Sequence, residues 1–224
     1  MGIFKSSEPK DWPKYLVDYM HLHARKIPGN TSIEQLNFVV LDIESTGIAK
    51  SDHILSIGGV GVNNYTIHIH DLLDVTVKHD NLKMNQSTAI HGLMPHEIEQ
   101  GDLPETALKK VITFLSDRII VGHHISFDLQ LLNNMAGSLY KGLKIVNSSL
   151  DISLLFKRLQ YFSSPYPVDP GMMTLEAICS HFGIEVTDRH TACGDSFITA
   201  LAFLKLTAWA KKRGITCYSD LVKR

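Results

Sequence analysis

The sequence predicts an α/β domain, one mixed sheet covered by helices, on three observations. Strand-like apolar runs come first, at Asn37–Ile43, His53–Val62 and Tyr65–His70, with Asn63-Asn64 as a short hairpin turn between the last two. Helical and strand-like stretches then alternate, α-β-α-β-α, through the rest of the chain. The length of 224 residues, 44% of them apolar, allows one sizeable core and argues against disorder.

Taken in order, residues 1–36 are polar and mixed, an N-terminal extension to the main fold. Within it, "WPKYLVDYMHLHARK" places Trp12, Tyr15, Leu16 and Tyr19 at helical spacing, enough to dock on the domain's own surface or on a twin subunit. After the three early strands, "GDLPETALKKVITFL" is predicted as a helix. Asp102 caps it, Glu105 completes a capping box, and Leu108, Val111, Ile112 and Leu115 form its apolar stripe. "RIIVGHH" is the fourth strand, and "FDLQLLNNM" opens the next helix. "KIVNSSLDI" is the fifth strand, leading to a helix over 153–159; "YFSSPYPVDPG" is a loop by its Ser, Pro and Gly. "TLEAICSHFG" is a short helix stopped by Gly183. A long helix follows over Ala192–Lys212 with Ile198, Ala202, Leu206 and Trp209 facing inward. One domain over 37–212 and a short tail over 213–224 complete the division.

Bulk composition narrows the function classes. With 22 basic and 23 acidic side chains the net charge is -1, so any nucleic-acid contact must be local and not a general polyanion attraction. Cys179, Cys193 and Cys217 are widely spaced and odd in number, which fits buried thiols in a reducing compartment and not a disulfide framework. No run is long and apolar enough for a membrane span, and the N-terminus lacks a signal-peptide core. The expected location is cytoplasmic, with no membrane partner. "MGIFKS" does match a myristoylation pattern, a match so short that chance readily supplies it.

The chemistry is carried by acids that interrupt apolar patterns. "NFVVLDIEST" reads as a buried strand, yet it contains Asp42 and Glu44, which alternation places on one face. Two buried carboxylates are costly and repel each other, so the pair either meets water at a strand end or faces a cation. Asp128 lies at a strand-to-helix junction, where α/β sheets build sites. Asp195 falls on the inward stripe of the long helix. Four such carboxylates are hard oxygen ligands suited to magnesium or manganese. Two ions about 3.5–4 Å apart can clamp the attacking and leaving oxygens of a phosphodiester. His190, five residues before Asp195, is suited to accept a water proton near neutral pH. His68 and His70 alternate to one face, but no third ligand stands at zinc spacing, and they read as solvated.

Three ordered motifs give these residues a resemblance. "DIESTG", "HHISFD" and "HTACGD" resemble the three motifs of the DEDDh (DnaQ-like) 3′–5′ exonucleases, the family of the DNA polymerase III epsilon proofreading subunit. "AIHGLMPHEIE", "LDISLLFKR" and "MTLEAICSHFGI" resemble its intervening segments, and the likeness runs from about Asn37 to Lys212. It implies a ribonuclease H-like fold, a mixed five-stranded sheet flanked by helices. It implies that Asp42 bridges two divalent metal ions, Mg2+ or Mn2+, that Glu44 and Asp195 hold the first, and that Asp128 holds the second. His190 would be the base, Phe127 would pack against the terminal nucleotide, and Thr46, Gly47 and His91 would line its pocket. His124 stands where the family usually has Asn, which bears on how Asp128 is held.

The function this implies is hydrolysis of DNA from a free 3′ end, single-stranded or frayed, to nucleoside 5′-monophosphates, in proofreading or repair. An RNA-trimming exoribonuclease and a non-catalytic interaction subunit on the same fold are the alternatives; completeness of the four acids and the histidine speaks against the second. The tail beyond Lys212, "RGITCYSDLVKR", is short, so no permanent polymerase tether is expected, and a homo-oligomer stays open.

Overall fold

The structure, a computed structural model, describes residues 11–47, 49, 52–80, 92–161, 169–187 and 189–223. Its centre is a sheet in the order β3-β2-β1-β4-β5, formed by β1 (Asn37–Ser45), β2 (Ile54–Asn63), β3 (Thr66–Thr76), β4 (Ile119–Gly122) and β5 (Ser149–Asp151). β1, β2 and β3 pair antiparallel, whereas β1, β4 and β5 run parallel. The helices are α1 (Lys14–Leu22), α2 (Pro95–Glu99), α3 (Pro104–Leu115), α4 (Ser126–Leu139), α5 (Ile152–Tyr161), α6 (Leu175–His181), α7 (Ala192–Lys212) and α8 (Tyr218–Leu221). Among the described residues no helix is long and apolar enough to cross a membrane.

Alternation along β1 decides which core each residue joins. Phe38 and Val40 face one layer with Phe156, Ile178, Phe203 and Leu206 of α5, α6 and α7. Val39, Leu41 and Ile43 face the other, with Val111, Leu115, Leu131 and Leu132 of α3 and α4. Asp42 and Glu44 continue the parity of Phe38 and Val40, so both carboxylates emerge on the α7 side of the sheet. The apolar stripe of α3 is buried as expected, and on α7 Ile198, Ala202 and Leu206 are buried with Trp209 half-buried.

α1 lies on the domain's own surface. Leu16 and Tyr19 are buried against Leu108, Ile112, Ala136 and Leu143 of α3, α4 and the loop after α4. The Tyr19 hydroxyl donates to Asn147 Oδ1 at 2.5 Å and accepts from the Val146 amide at 2.9 Å. Asn147 in turn donates to the carbonyls of Ser116 and Arg118, at 3.1 and 2.7 Å, so a buried polar chain links α1 to the approaches of β4 and β5. Further on, Ser32 bridges Cys217, and Tyr218 and Ser219 donate to Thr31 and Gly29 at 2.8 Å. The three cysteines are free, Cys179 buried and Cys193 and Cys217 half-buried.

Four local expectations are corrected. The hairpin turns on Asn64-Tyr65, with φ of 43° and 57°, one residue later than Asn63-Asn64. Tyr65 accepts this left-handed backbone because its ring packs beside the core under α7, with Lys211 Nζ 5.4 Å from the ring centre. β3 runs to Thr76, beyond His70, because a bulge between Val60 and Gly61 moves its alternation to the other parity. Asp102 does not cap α3: Leu103 occupies the cap and Pro104 the first turn. The Asp102 backbone is instead recruited to β3, receiving Lys78 N–H and donating to the Thr76 carbonyl, both at 2.8 Å, and its carboxylate accepts from Lys110. The fourth strand spans only Ile119–Gly122 of "RIIVGHH", since the chain turns sharply at His123 and His124. The loop "YFSSPYPVDPG" lies largely outside the described residues.

Candidate active site

Strand ends and helix starts converge at one end of the sheet. Asp42 and Glu44 stand at the C-terminal end of β1, Asp128 in the first turn of α4 after β4, and Asp195 in the first turn of α7. Each placement has a local cause. Asp42 pairs with Gly58 of β2, and a Cβ on Gly58 would stand 2.1 Å from the Ala192 carbonyl carbon. The bare glycine lets the start of α7 settle onto the sheet beside Asp42, with the Thr191 hydroxyl capping Gly194 N–H at 3.0 Å. At β4, Gly122 does the same: its Cβ would meet Ile125 Cδ1 at 2.6 Å, so the strand can fold straight into α4. His124 takes φ 54° in that turn. Histidine and the asparagine expected there by resemblance both tolerate the left-handed region, so the backbone turn ahead of Asp128 suits either.

The ligand oxygens of Asp42, Glu44 and Asp195 all lie within 4.8 Å of one another, the one such group of His, Cys, Asp or Glu among the described residues. Asp128 is buried at 5% exposure, and the negative charges of Asp42 and Glu44 reach it. Burial, then the charges of Asp195 and Glu44, push the Asp42 carboxyl well above the ordinary range. Burial, then Asp195, pushes Glu44 up to about 7. Burial, then Asp42, Glu44 and Asp151, raises Asp128. Concentrated, under-neutralised carboxylates of this kind fit hard divalent cations, because a cation removes the repulsion and supplies the missing solvation.

Around the acids stand residues the sequence reading did not assign. Arg189 ion-pairs with Asp195 and with Glu176 of α6. Its position beside His190 in the third motif was the available signal. Asp151, in register with Gly122, caps α5 by accepting from Ser153 N–H at 2.8 Å and Ser153 Oγ at 2.6 Å while its charge reaches Asp128. Asp52 closes the turn after β1: it accepts from Thr46 Oγ1 at 3.0 Å and from Ala49 N–H at 2.5 Å.

Of the expected pocket residues, Thr46 and Gly47 lie in that turn, directly after Glu44 and Ser45. Phe127 lies one residue before Asp128, half-buried against the core of β1 and α4. His190 is exposed with φ 66°, and its amide donates to Asp195 Oδ2 at 3.3 Å. His91 lies outside the described residues. His68 and His70 stay on β3, away from the acids, where His68 bonds Asn63 Oδ1 at 2.7 Å.

The family model described as "Exonuclease" (RNase_T) matches residues 39–203. The chain is 28% identical over 208 residues to the DNA polymerase III PolC-type protein of Thermotoga petrophila, covering 92% of this chain and 14% of that one. It is 28% identical over 196 residues to a DNA polymerase III subunit epsilon-like protein of Rhodobacter capsulatus, covering 86% and 27%. The chain thus spans well under a third of these curated relatives. Among solved structures, E. coli Exonuclease I in complex with a dT13 oligonucleotide superposes with TM-score 0.63 at 18% identity, over 80% of this chain and 43% of that one. Exonuclease X in complex with 5′ overhanging duplex DNA gives 0.62 at 19%, over 82% and 97%. These likenesses establish the fold expected above, ribonuclease H-like with a mixed five-stranded sheet.

Proposed function

Because this chain belongs to the exonuclease family, we propose that it is a metal-dependent 3′–5′ exonuclease that hydrolyses DNA from single-stranded or frayed 3′ ends to nucleoside 5′-monophosphates. The observation that carries the reading is the gathering of Asp42, Glu44 and Asp195 within 4.8 Å, with Asp128 buried beside them. Asp42, Glu44 and Asp195 would hold one divalent ion, and Asp42 with Asp128 a second. When bound, Mg2+ or Mn2+ lowers the pKa of water and offsets charge on the phosphodiester oxygens.

The chain's own residues do the rest. His190, exposed just before α7, takes the proton of the attacking water on its imidazole. The Thr46-Gly47 turn, fixed by Asp52, and the half-buried Phe127 ring border the place of the terminal nucleotide, the ring offering a face for a base or sugar. DNA is the substrate class because the neighbouring folds were captured with DNA oligonucleotides and the matched relatives are named for DNA polymerase III. The three free cysteines support a cytoplasmic setting.

The test is digestion of 3′- and 5′-end-labelled single-stranded DNA, mismatched duplex and short RNA, each with Mg2+, Mn2+ or EDTA. Metal-dependent shortening from the 3′ end of DNA with release of monophosphates is expected. Preferential RNA trimming would move the substrate to the other branch, and no hydrolysis of any substrate would leave a binding protein.

A further inference from the structure

The cluster has a cation of its own. Arg189 reaches Asp195 Oδ1 with one guanidinium nitrogen and Glu176 Oε1 with Nε, at 3.1 Å, and with another nitrogen. The guanidinium is mostly enclosed, its side chain 21% exposed, while Asp195 is 9% exposed and Glu176 54%. Its field extends further, since its positive charge opposes the repulsion on both Asp42 and Glu44. Asp195 Oδ2 thus accepts from the His190 amide, while the buried Oδ1 is engaged by the charge of Arg189 alone and has no hydrogen-bond donor.

We propose that Arg189 is a built-in counter-ion that holds Asp195 in place of a metal ion and sets how tightly the metal binds. This rests on the metal reading above. A divalent ion entering among Asp42, Glu44 and Asp195 meets a positive charge already paired with one of its ligands. It must share or displace that charge, and either lowers its affinity relative to the bare acids. Glu176, on the solvent side, is the second arm: it draws the guanidinium away from Asp195 and gives it somewhere to remain once the metal is bound. A short pair of charges, Glu176 on α6 and Arg189 in the turn before α7, therefore works as a balance, Glu176 favouring the metal and Arg189 opposing it. Arg189 is a positioning residue in this sense.

The balance predicts opposite signs for its two arms, which a merely structural role would not produce. Isothermal titration of the metal-free full chain with Mn2+ alone is the measurement, with the melting temperature read in parallel. Arg189→Gln is expected to tighten Mn2+ binding by about tenfold and to lower the melting temperature of the metal-free protein, so that the rise on adding Mn2+ is larger than in wild type. Glu176→Gln, at an exposed position that tolerates change, is expected to weaken Mn2+ binding several-fold, and Arg189→Lys to bind close to wild type. Unchanged or weaker Mn2+ binding in a folded Arg189→Gln protein overturns the proposal. If that variant does not fold, Glu176→Gln decides: tighter or unchanged binding there overturns it equally. Absence of Mn2+ binding by wild type is a different result, and defeats the metal reading itself.

Discussion

Two arginine–aspartate pairs in this molecule are built alike and do opposite things. Arg118 pairs with Asp71, and Arg189 pairs with Asp195. A glycine of β2 makes room for the first pair itself and, at the second, for the start of α7, the helix that carries Asp195. A Cβ on Gly61 would strike Asp71 Oδ2 at 1.9 Å, and one on Gly58 would strike the backbone of Ala192 at 2.1 Å. At the first pair, charges balance one to one. Arg118 also stacks over Phe114, 4.7 Å from the ring centre, and donates to the Phe114 carbonyl, pinning the bulge in β3 to α3. At the second pair a single guanidinium faces Asp195, Glu176 and, further off, Asp42 and Glu44. The first arrangement is satisfied and only holds structure together. The second is left short of positive charge, and that shortfall is what would give the proposed metal ion a place to bind.

Removing charge at the two sites separates them most sharply. Asp42→Asn should abolish exonuclease activity in Mg2+ while raising the melting temperature of the metal-free protein, because it relieves repulsion among buried acids. An active variant, or one that melts lower without metal, would contradict the shortfall. Asp71→Asn should leave activity intact.

The two glycines come next. Gly58→Ala drives a methyl group into the backbone of α7, which cannot swing aside, and should cost about 3 kcal/mol or more together with displacement of Asp195 and loss of activity. Gly61→Ala meets only the ends of the Asp71 and Arg118 side chains, which can move, so denaturant melts should show a smaller loss, near that of breaking the pair. Equal costs would mean that the α7 contact is softer than its geometry indicates.

Titration of the metal-free protein gives a third contrast. Glu44 holds its proton up to about 7 in the fold, against an ordinary 4.5, and Asp42 and Asp128 are raised as well. Between these values the folded state binds more protons than the unfolded one, so stability is greatest on the acid side and falls as pH rises. The melting temperature should decline from about pH 4.5 to about pH 7, less steeply in Glu44→Gln, and saturating Mn2+ should flatten or reverse the slope. A rise across that window without metal would refute the electrostatic account.

The smallest effect belongs to the satisfied pair. Arg118→Ala should cost about 1–2 kcal/mol, as lost charge-assisted hydrogen bonds at a half-buried site, or a few degrees of melting temperature, with exonuclease rates unchanged.

What the sequence made legible follows from what interrupts a pattern. Asp42, Glu44, Asp128 and Asp195 each break an apolar run, and the fold gathers three of them and buries the fourth alongside. Arg189 was not visible in this way, because an arginine in a polar loop breaks nothing; only its reach across to α6 gives it meaning. The Asp102 cap failed because a local rule competed with backbone pairing to β3 contributed by residues distant in sequence. The end of β3 was hidden by the bulge, which inverts the alternation that strand reading depends on. Gly58, inside the apolar "ILSIGGVGVN", carried a signal of close backbone approach, but not of what approaches.

The link between Ser32 and Cys217 also says something about the order of events when this chain is made. Residues made earlier have partners made much later: Thr31 and Gly29 wait for Tyr218 and Ser219, and Tyr19 waits for Asn147. The seam at residues 29–32 therefore cannot close until all five strands of the sheet have been synthesised. Contacts this distant along the chain slow folding, since loop closure precedes the gain. A chain cut before residue 217 would keep Asp42, Glu44 and Asp195 but lose the partners of Gly29, Thr31 and Ser32.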